Sequence, residues 1–302
     1  MIDVGEKPDS CRTATAQALV VINPNLIDII KDGNSPKGDI FEAAKISATL
    51  GVKRTSELIP YCHPIPIDSI RIDFKVEQNF IKITVNVKSI WKTGVEMESL
   101  TGATIAALTI YDMLKPIDKS LSIESVKILE KHGGIGDFYE IYDRKLKAVV
   151  IVVSDSRKKE QDQSGKIIIN VLSKNGFDIV EYKIVPDEIN IIEYELKHFS
   201  DETNVDLIIT TGGTGVSPRD ITPDATRNIL EKETTGIVEH LRNYGQHRTP
   251  LSMLSRGVAG IRGKTLIINL PGSRTAVAQS LSALFPGILH IFKMIAGHGH
   301  NK

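Results

Sequence analysis

The sequence predicts two domains of different fold class, an α+β ferredoxin-like domain over residues 1–145 and an α/β doubly wound, mostly parallel-sheet domain over residues 146–302. The first prediction comes from stretches in which apolar and polar residues alternate, as in half-solvated antiparallel strands. The second comes from fully apolar strands that alternate with segments of helical length, as in a parallel sheet covered by helices on both faces. A chain of 302 residues is also long enough for two cores of ordinary size.

In the first domain, two alternating strands predict a hairpin. Residues 70–76 and 81–87 have the two-residue period, and Asn79 lies in the turn between them. Two segments of helical length, residues 38–58 and 97–114, flank the hairpin, and the second is rich in Ala, Leu and Ile on more than one side. These elements predict a layer of helices packed on an antiparallel sheet.

The second domain begins where the composition changes. Residues 139–147 are mostly polar and aromatic, and an apolar run follows at residues 148–153. Strands and helices then alternate, which predicts a parallel sheet. The predicted strands are residues 149–153, 205–210 and 265–270, and the predicted helices are residues 165–174, 222–231 and 276–284.

Charge and cysteine content exclude several classes of function. Lys+Arg and Asp+Glu both total 37, so a neutral chain offers no broad positive field for nucleic acid or an anionic membrane, and any phosphate must be bound by a local cluster. Cys11 and Cys62 are too few for a disulfide framework and lack the spacing of a zinc site. The first residues lack the order of a secretory signal, and no apolar run reaches the ~20 residues of a membrane span. We expect a soluble, cytoplasmic protein.

Five sequence motifs in the first domain occur in the order typical of one enzyme family. They are residues 3–7 (DVGEK), 37–39 (KGD), 58–64 (LIPYCHP), 93–98 (TGVEME) and 106–113 (AALTIYDM). On these motifs the first 138 residues resemble the cyclic pyranopterin monophosphate synthases. The resemblance implies that a cyclised guanosine triphosphate derivative is rearranged to cyclic pyranopterin monophosphate with loss of pyrophosphate. It implies no certain cofactor for this domain.

That reaction needs cations around a triphosphate and groups that move protons at a guanine-derived ring. The catalytic residues implied by the resemblance are Lys37, Asp112, Lys115 and Lys131, and the implied substrate-binding residues are Tyr61, Cys62, His63, Glu96, Met97 and Glu98. Asp112 and Lys115 are three residues apart on a predicted helix, so each influences the ionisation of the other, and in a closed pocket the lysine could act as acid or base. The alternative for such a pair is a surface salt bridge.

Local sequence adds alternatives for other residues. His63 precedes Pro64 in a stiff, extended loop that suits an imidazole aimed at phosphate, whereas most loop histidines are structural or solvated. Asp39 is expected to be the N-cap or a first-turn acid of a helix that begins after Lys37. Glu96 and Glu98 open the second helix, where a favourable interaction with the helix dipole is as reasonable as substrate contact.

The first domain departs from its family in two places. Residues 134–137 (GIGD) are one residue shorter than the family's glycine-rich stretch and lack its Lys-Ser, which leaves phosphate binding there open. Tyr61 replaces a common Leu, a change that affects packing more than chemistry. One alternative, therefore, is that only the second domain is active.

A glycine-rich turn follows a predicted strand in the second domain. Residues 208–220 (IITTGGTGVSPRD) run from the strand end, where open α/β sheets bind ligands, into a bend whose backbone N–H groups can converge on an anion. No Lys-Ser/Thr follows the glycines, so the turn is neither a P-loop nor a dinucleotide fingerprint. Taken alone, such a turn is most often only a turn.

Further motifs accompany this turn. They are residues 154–156 (SDS), 162–165 (DQSG), 186–187 (PD), 222–226 (TPDAT), 254–256 (LSR) and 269–273 (NLPGS). With them, residues 147–300 resemble the molybdopterin adenylyltransferases. The resemblance implies that the molybdopterin phosphate attacks the α-phosphorus of ATP and releases pyrophosphate, a transfer that usually needs Mg²⁺ held by carboxylates.

The implied site combines two acids with the glycine turn. Asp187 and Asp220 match the family's key acids as catalytic residues and Mg²⁺ ligands, although an Asp after Pro or Arg is more often a turn or cap. The implied substrate-binding residues are Thr211, Gly212, Gly213, Thr214, Gly215, Ser255, Pro271, Gly272 and Ser273. Thr222, Pro223 and Asp224 are expected to begin a helix, with Thr222 as its N-cap. The terminal His298 and His300 fit a solvated tail better than a metal site.

These features predict a bifunctional enzyme of molybdenum-cofactor synthesis that acts on a cyclic guanosine triphosphate intermediate, molybdopterin and ATP. By resemblance we expect a homo-oligomer, a trimer or a hexamer. The alternative from another class is that the second domain is a non-catalytic molybdopterin-binding or scaffold module. The choice between molybdenum and tungsten is left open by the sequence.

Overall fold

The chain divides into two units, Met1–Asp137 and Phe138–Lys302, in a computed structural model that describes residues 1–32, 35–156 and 158–297. The segment that opens the second unit is bound to the end of that same unit. Tyr142 donates a hydrogen bond to the carbonyl of Leu289, and the carboxylate of Glu140 pairs with Lys293 and with His290. His298 and His300 lie outside the described residues.

The first unit is a four-stranded antiparallel sheet in the order β2-β3-β1-β4 with helices packed against it. Its strands are β1 (Ser10–Val21), β2 (Ser69–Val76), β3 (Phe80–Trp91) and β4 (Ser122–His132). Its helices are α1 (Ile27–Lys31), α2 (Ile40–Lys53), α3 (Thr55–Leu58) and α4 (Glu96–Leu114). The hairpin and the second predicted helix are confirmed, because β2 and β3 pair across Asn79 and α4 spans the expected residues.

The predicted helix over residues 38–58 is interrupted. It divides into α2 and α3 around Arg54, and the hydroxyl of Thr55 donates to the carbonyls of Gly51 and Val52 at 3.1 Å each. A side chain that bonds the preceding carbonyls competes with the helical pattern, which explains the break. Asp39 caps α2 as expected, since its carboxylate accepts from the N–H groups of the second and third helical residues.

Small residues let α2 and α4 approach each other closely. A Cβ on Gly102 would lie 2.6 Å from a methyl of Val52, and a Cβ on Gly51 would lie 2.9 Å from Ile105. Real Cβ atoms essentially never make contacts this short, so these positions favour glycine. The packing supports the first site, because Lys37 lies just before α2 and reaches the last turn of α4.

The second unit is a six-stranded sheet in the order β6-β5-β7-β10-β9-β8. Its strands are β5 (Leu146–Val153), β6 (Phe177–Val185), β7 (Leu207–Thr211), β8 (Lys232–Glu233), β9 (Ala259–Arg262) and β10 (Thr265–Leu270). Its helices are α5 (Gln163–Lys174), α6 (Ile189–Lys197), α7 (Thr222–Ile229), α8 (Thr235–Gln246), α9 (Arg274–Leu284) and α10 (His290–Ile295). Strands β6, β5, β7 and β10 are parallel, so the prediction of a mostly parallel sheet is confirmed.

Helices cover both faces of this sheet. One apolar layer joins the strands to α5, α8 and α9, and the other joins them to α6 and α7. The two layers arise because successive residues of β5, such as Val149 and Val150, are fully buried on opposite faces. No single described helix is long and apolar enough to span a membrane, and only the bent pair Arg274–Leu284 and Gly287–Ile295 meets the length and composition test jointly.

The predicted N-cap of α7 is wrong. The helix starts at Thr222 with Pro223 second, and Ile221 occupies the cap position without a side-chain hydrogen bond. The reason is a tertiary contact, since the N–H of Thr222 donates to the carbonyl of Gly213 at 3.2 Å and holds Thr222 against the glycine bend.

Candidate functional site

Three predicted catalytic residues of the first unit meet at the end of α4. The Nζ of Lys37 lies 2.6 Å from one carboxylate oxygen of Asp112, and the Nζ of Lys115 lies 2.7 Å from the other. Lys37 also donates to the backbone carbonyl of Asp112 at 3.0 Å. The aspartate is therefore held between two ammonium groups, and the expected helical neighbourhood of Asp112 and Lys115 is confirmed.

Opposite charges fix the ionisation of this cluster. Hydrogen bonds from Lys115 and Lys37 lower the pKa of Asp112 to about 2, and Asp112 in turn raises the pKa of Lys115. The lysine is protonated near neutral pH and can donate a proton or attract an anion, but it cannot accept a proton. About half of each of the Asp112 and Lys115 side chains is exposed, so within one chain the cluster lies on an open surface.

Lys131 belongs to a second group. Its Nζ lies 3.1 Å from the carboxylate of Glu96, at the first residue of α4, and no ion pair joins it to Lys37 or Asp112 in the part of the chain that the structure describes. Met97, the next residue after Glu96 in the chain, is exposed. The implied catalytic residues thus divide between the two ends of α4.

Glu98 differs from its neighbour Glu96 in being buried. Only 3% of the residue is exposed, and its Oε2 has no hydrogen-bond partner among the residues that the structure describes. Burial, with a smaller contribution from Glu96, raises the pKa of Glu98 to about 7. Burial also raises the pKa of the Cys62 thiol, with Glu98 as the second cause, so this thiol and this carboxyl are neighbours.

The loop that follows α3 brings fewer of the predicted residues together. No hydrogen bond or ion pair joins the half-buried His63 to Lys37, Asp112 or Lys115 among the described residues, so the expected convergence of His63 with them is not found within one chain. Tyr61 is 81% exposed and points away from the core.

The shortened glycine segment is closed on itself. The carboxylate of Asp137 accepts the N–H of Gly133 at 2.6 Å, and the carbonyl of Gly133 accepts from the hydroxyl of Ser10 at 2.8 Å. Gly133 has a φ of +86°, and a Cβ there would lie 1.8 Å from the carbonyl oxygen of Cys11. One amide that a phosphate could use is thus already bonded to a carboxylate.

In the second unit, two glycine turns meet at the carboxyl ends of β7 and β10. Gly212 and Gly213 have positive φ angles of 103° and 62°. A Cβ on Gly272 would lie 3.3 Å from the Cα of Gly212, and a Cβ on Gly213 would lie 2.4 Å from the Oγ1 of Thr222. The bend therefore requires glycine for both its conformation and its close contacts.

Asp187 and Asp220 both lie against this bend. Asp187 follows β6 and Asp220 lies after β7, and these strands flank β5, so their ends share one edge of the sheet. The Oδ1 of Asp187 is 3.1 Å from the Cβ position of Gly213, and the Oδ2 of Asp220 is 2.8 Å from that of Gly215.

The two acids are of like charge and only partly satisfied. Asp220 accepts from the N–H of Ser217 at 2.8 Å, whereas no donor reaches the carboxylate of Asp187 among the described residues. Burial, and then the charge of Asp220, raise the pKa of Asp187. Two neighbouring carboxylates of this kind fit a divalent cation, which prefers oxygen ligands and would relieve their repulsion. The described residues contain no group of three His, Cys, Asp or Glu side chains suited to a metal, so substrate phosphates or water would complete such a site.

A cleft of about 660 Å³ opens beside the acids. Of the site residues predicted from the sequence, those that line this cleft are Gly213, Thr214, Gly215, Asp220, Ser255, Pro271, Gly272 and Ser273. Thr211 is fully buried, and its hydroxyl donates to the carbonyl of Pro271 at 2.7 Å, so this side chain supports the second turn and does not face the cleft. The hydroxyl of Ser273 caps α9.

The residues of the far wall of the cleft were not predicted from the sequence. This wall is formed by α8 and the following turn, which contribute Arg242, Tyr244 and Arg248. The available signal was helical spacing, since Val238, Leu241 and Gly245 are three and four residues apart and all line the cleft.

Two family models match the chain, one in each half. A model described as the MoaC family matches residues 1–134. A model described as a probable molybdopterin binding domain matches residues 149–290.

Individual relatives give the same division. A molybdenum cofactor biosynthesis bifunctional protein of Chlorobaculum tepidum is 37% identical over 302 residues, which cover 99% of this chain and 96% of the relative. A cyclic pyranopterin monophosphate synthase of Peptoclostridium acidaminophilum is 44% identical over 140 residues, which cover 46% of this chain and 89% of the relative. A crystal structure of the molybdopterin biosynthesis enzyme MoaB of Thermus thermophilus is 42% identical and covers 50% of this chain and 97% of that one, with a TM-score of 0.48. The first relative is thus similar to both units at once.

Proposed function

The chain belongs to the molybdenum cofactor biosynthesis bifunctional proteins, and from that premise we propose that both of its halves are active enzymes. Residues 1–145 convert (8S)-3′,8-cyclo-7,8-dihydroguanosine 5′-triphosphate to cyclic pyranopterin monophosphate and pyrophosphate. Residues 146–302 transfer AMP from ATP to the phosphate of molybdopterin. The steps are not consecutive, so neither site passes its product directly to the other.

In the first half, the cluster at the end of α4 supports the proposal. Lys37 and Lys115 supply two positive charges for the substrate's phosphates, and Asp112 orients both ammonium groups. The raised pKa of Lys115 keeps its ammonium group protonated near neutral pH, so it carries both a positive charge for the phosphates and a proton within the site. Lys131 and Glu96 form the second polar contact, at the other end of the helix. The element order β1-α2-β2-β3-α4-β4 supports a ferredoxin-like fold for this half.

In the second half, the observation that carries the proposal is the pair Asp187 and Asp220 on the glycine bend. Mg²⁺ bound by these acids would neutralise ATP phosphates and align them for attack. Backbone amides of the bend would bind a phosphate, while the walls of the cleft would hold the base or the pterin. In the transfer, a phosphate oxygen of molybdopterin bonds to the α-phosphorus of ATP and the bond to pyrophosphate breaks.

One experiment tests both activities. The purified protein is incubated separately with the cyclic nucleotide and with molybdopterin plus ATP and Mg²⁺, and the products are analysed by mass spectrometry. We expect cyclic pyranopterin monophosphate in the first reaction and adenylylated molybdopterin in the second. Tight binding of molybdopterin without AMP transfer would instead support a non-catalytic scaffold module.

We also propose that the protein works as a homo-oligomer, a trimer or a hexamer. The exposure of the Asp112 cluster within one chain supports this, since a neighbouring copy would be needed to close it. Light scattering tests the proposal, and a monomeric mass would contradict it.

A further inference from the structure

The cleft of the second unit contains an arginine, Arg242, whose charge no described residue neutralises. We propose that the guanidinium of Arg242 binds a phosphate group of a substrate in the cleft, opposite the glycine bend. This assignment rests on the proposed function of the second half and deepens it. Because the chain has no net charge, a phosphorylated ligand depends on such a local cation.

Arg242 lies where two cavities meet. It lines the cleft of about 660 Å³, and it also lines an adjoining cavity of about 230 Å³. Val238, one helical turn earlier on α8, and Gly257 on the opposite side are shared by both cavities. A ligand in the cleft therefore reaches Arg242 without any movement of the backbone.

The neighbouring arginines are already engaged, which leaves Arg242 for a ligand. In the smaller cavity, Arg256 pairs with Asp224 at 2.5 Å and Arg227 pairs with Glu233 at 2.9 Å. Arg248 stacks over the ring of Tyr244 at 3.4 Å. The half-buried side chain of Arg242 makes no hydrogen bond or ion pair with any residue in the described ranges, and the bond from the hydroxyl of Ser252 goes to its backbone carbonyl.

The charges of the two cavities favour an anion near Arg242. Four arginines line them (Arg227, Arg242, Arg248 and Arg256) against the acids Asp220 and Glu233, and Asp224 pairs with Arg256, which leaves an excess of one positive charge. Arg256 also donates to the carbonyl of Asp220 at 3.1 Å, so the basic cavity lies directly behind one of the proposed Mg²⁺ ligands. A planar guanidinium that is half removed from water suits bidentate binding of phosphate.

The test compares Arg242→Gln with the full-length wild-type protein. Affinities for ATP, AMP and inorganic pyrophosphate are measured by calorimetry in Mg²⁺, and that for molybdopterin by its fluorescence. Lys264→Gln is the matched control, because it removes an exposed positive charge from the turn between β9 and β10, at the opposite end of β10 from the cleft. Arg242→Lys keeps the positive charge but loses the planar guanidinium that can donate two parallel hydrogen bonds.

Weakening of one ligand class by about 10- to 100-fold in Arg242→Gln is expected for the loss of charge-assisted hydrogen bonds. Lower affinity for ATP and pyrophosphate with unchanged affinity for AMP would show that Arg242 binds the triphosphate tail. Lower affinity for AMP as well would show that it binds the α-phosphate. Lower affinity for molybdopterin alone would show that Arg242 binds the phosphate of the pterin. Intermediate affinity in Arg242→Lys would support charge recognition. If all four affinities match those of Lys264→Gln, or if the wild-type protein binds none of them, the assignment is wrong.

The outcome is separable from that of the proposed function. A protein that binds these ligands through Arg242 but transfers no AMP would retain the phosphate site and lose the adenylyltransferase. A protein that transfers AMP with no dependence on Arg242 would have the adenylyltransferase activity without the proposed phosphate site.

Discussion

The two candidate sites differ in how their charges are balanced. At the end of α4, Asp112 lies between Lys37 and Lys115, so the opposite charges satisfy one another on an open surface. On the glycine bend, Asp187 and Asp220 are of like charge, and the Asp187 carboxylate has no donor among the described residues. At the first site every charged group has an opposite partner before substrate arrives, with one positive charge in excess for an anion. At the second site the two acids have no cationic partner for Asp187 among the described residues, so their charge is left to be balanced by a ligand.

This difference separates function from stability. Removing a member of the Asp112 cluster is expected to affect turnover, since exposed ion pairs contribute little to folding. Removing an acid from the bend should affect turnover and also relieve repulsion in the folded state. Four predictions, from the largest expected effect to the smallest, test this comparison.

Lys115→Ala should lower the rate of pyrophosphate release from the cyclic nucleotide by about 10²- to 10⁴-fold, the usual effect of losing a positioned proton donor. AMP transfer by the same preparation should be unchanged, because the second site shares no residue with the first. Lys119→Ala is the matched control, since Lys119 is an exposed lysine just beyond α4. Equal rates for the two variants would mean that the cluster is only a surface salt bridge.

Asp220→Asn should slow AMP transfer to molybdopterin by about 100- to 1000-fold, as expected when a group that stabilises transferring phosphates is lost. Pyrophosphate release at the first site should not change. The control is Asp178→Asn, an exposed acid on β6 far from the bend. A full transfer rate in Asp220→Asn would remove Mg²⁺ ligation from the proposed role of this residue.

Much of the fold could be predicted because its elements have strong periodicity. Strands such as β3 and β5 and the long helix α4 follow the expected patterns. The strand β1 was missed because alanines occupy its inward-facing positions 14, 16 and 18, and Ala marks a strand weakly, although these Ala residues fill the core beneath α4.

The candidate sites were likewise predictable from the sequence only in part. Asp112 and Lys115 could be paired from sequence, because helical spacing alone brings them together. The contact of Thr222 with Gly213 could not, since it depends on how two loops fold over the sheet edge. Arg242 was missed for the same reason, because its importance lies in what its neighbours already bind.

Glu98→Gln tests whether a buried acid, whose Oε2 has no hydrogen-bond partner in the described ranges, destabilises the first unit when it is ionised. The folded state raises the pKa of Glu98 to about 7 from the ordinary 4.5, so it holds a proton that the unfolded chain loses between these values. The free energy of unfolding should therefore fall as pH rises through this window and stay low above it. At pH 8 the neutral glutamine should be more stable than wild type by up to about 3 kcal/mol, and at pH 5 the two should be similar.

Trp91 is the only tryptophan and lies at the end of β3, so its fluorescence during urea unfolding at pH 5 and pH 8 reports on the first unit. A variant that is less stable than wild type at both pH values would show that the Glu98 carboxylate has a stabilising partner.

Asp187→Asn should give the smaller and more informative change in stability. Burial and Asp220 raise the pKa of Asp187, so the folded state loses stability as pH rises through that pKa, and a neutral asparagine avoids the loss. Without Mg²⁺ at neutral pH, calorimetry should show a higher melting temperature for the variant than for wild type. Added Mg²⁺ should reverse the order, because only the wild-type acids gain a ligand that stabilises the folded state by mass action. Melting temperatures that keep their order in Mg²⁺ would mean that the repulsion on the bend is balanced by something other than a cation, and the contrast between the two sites would then fail.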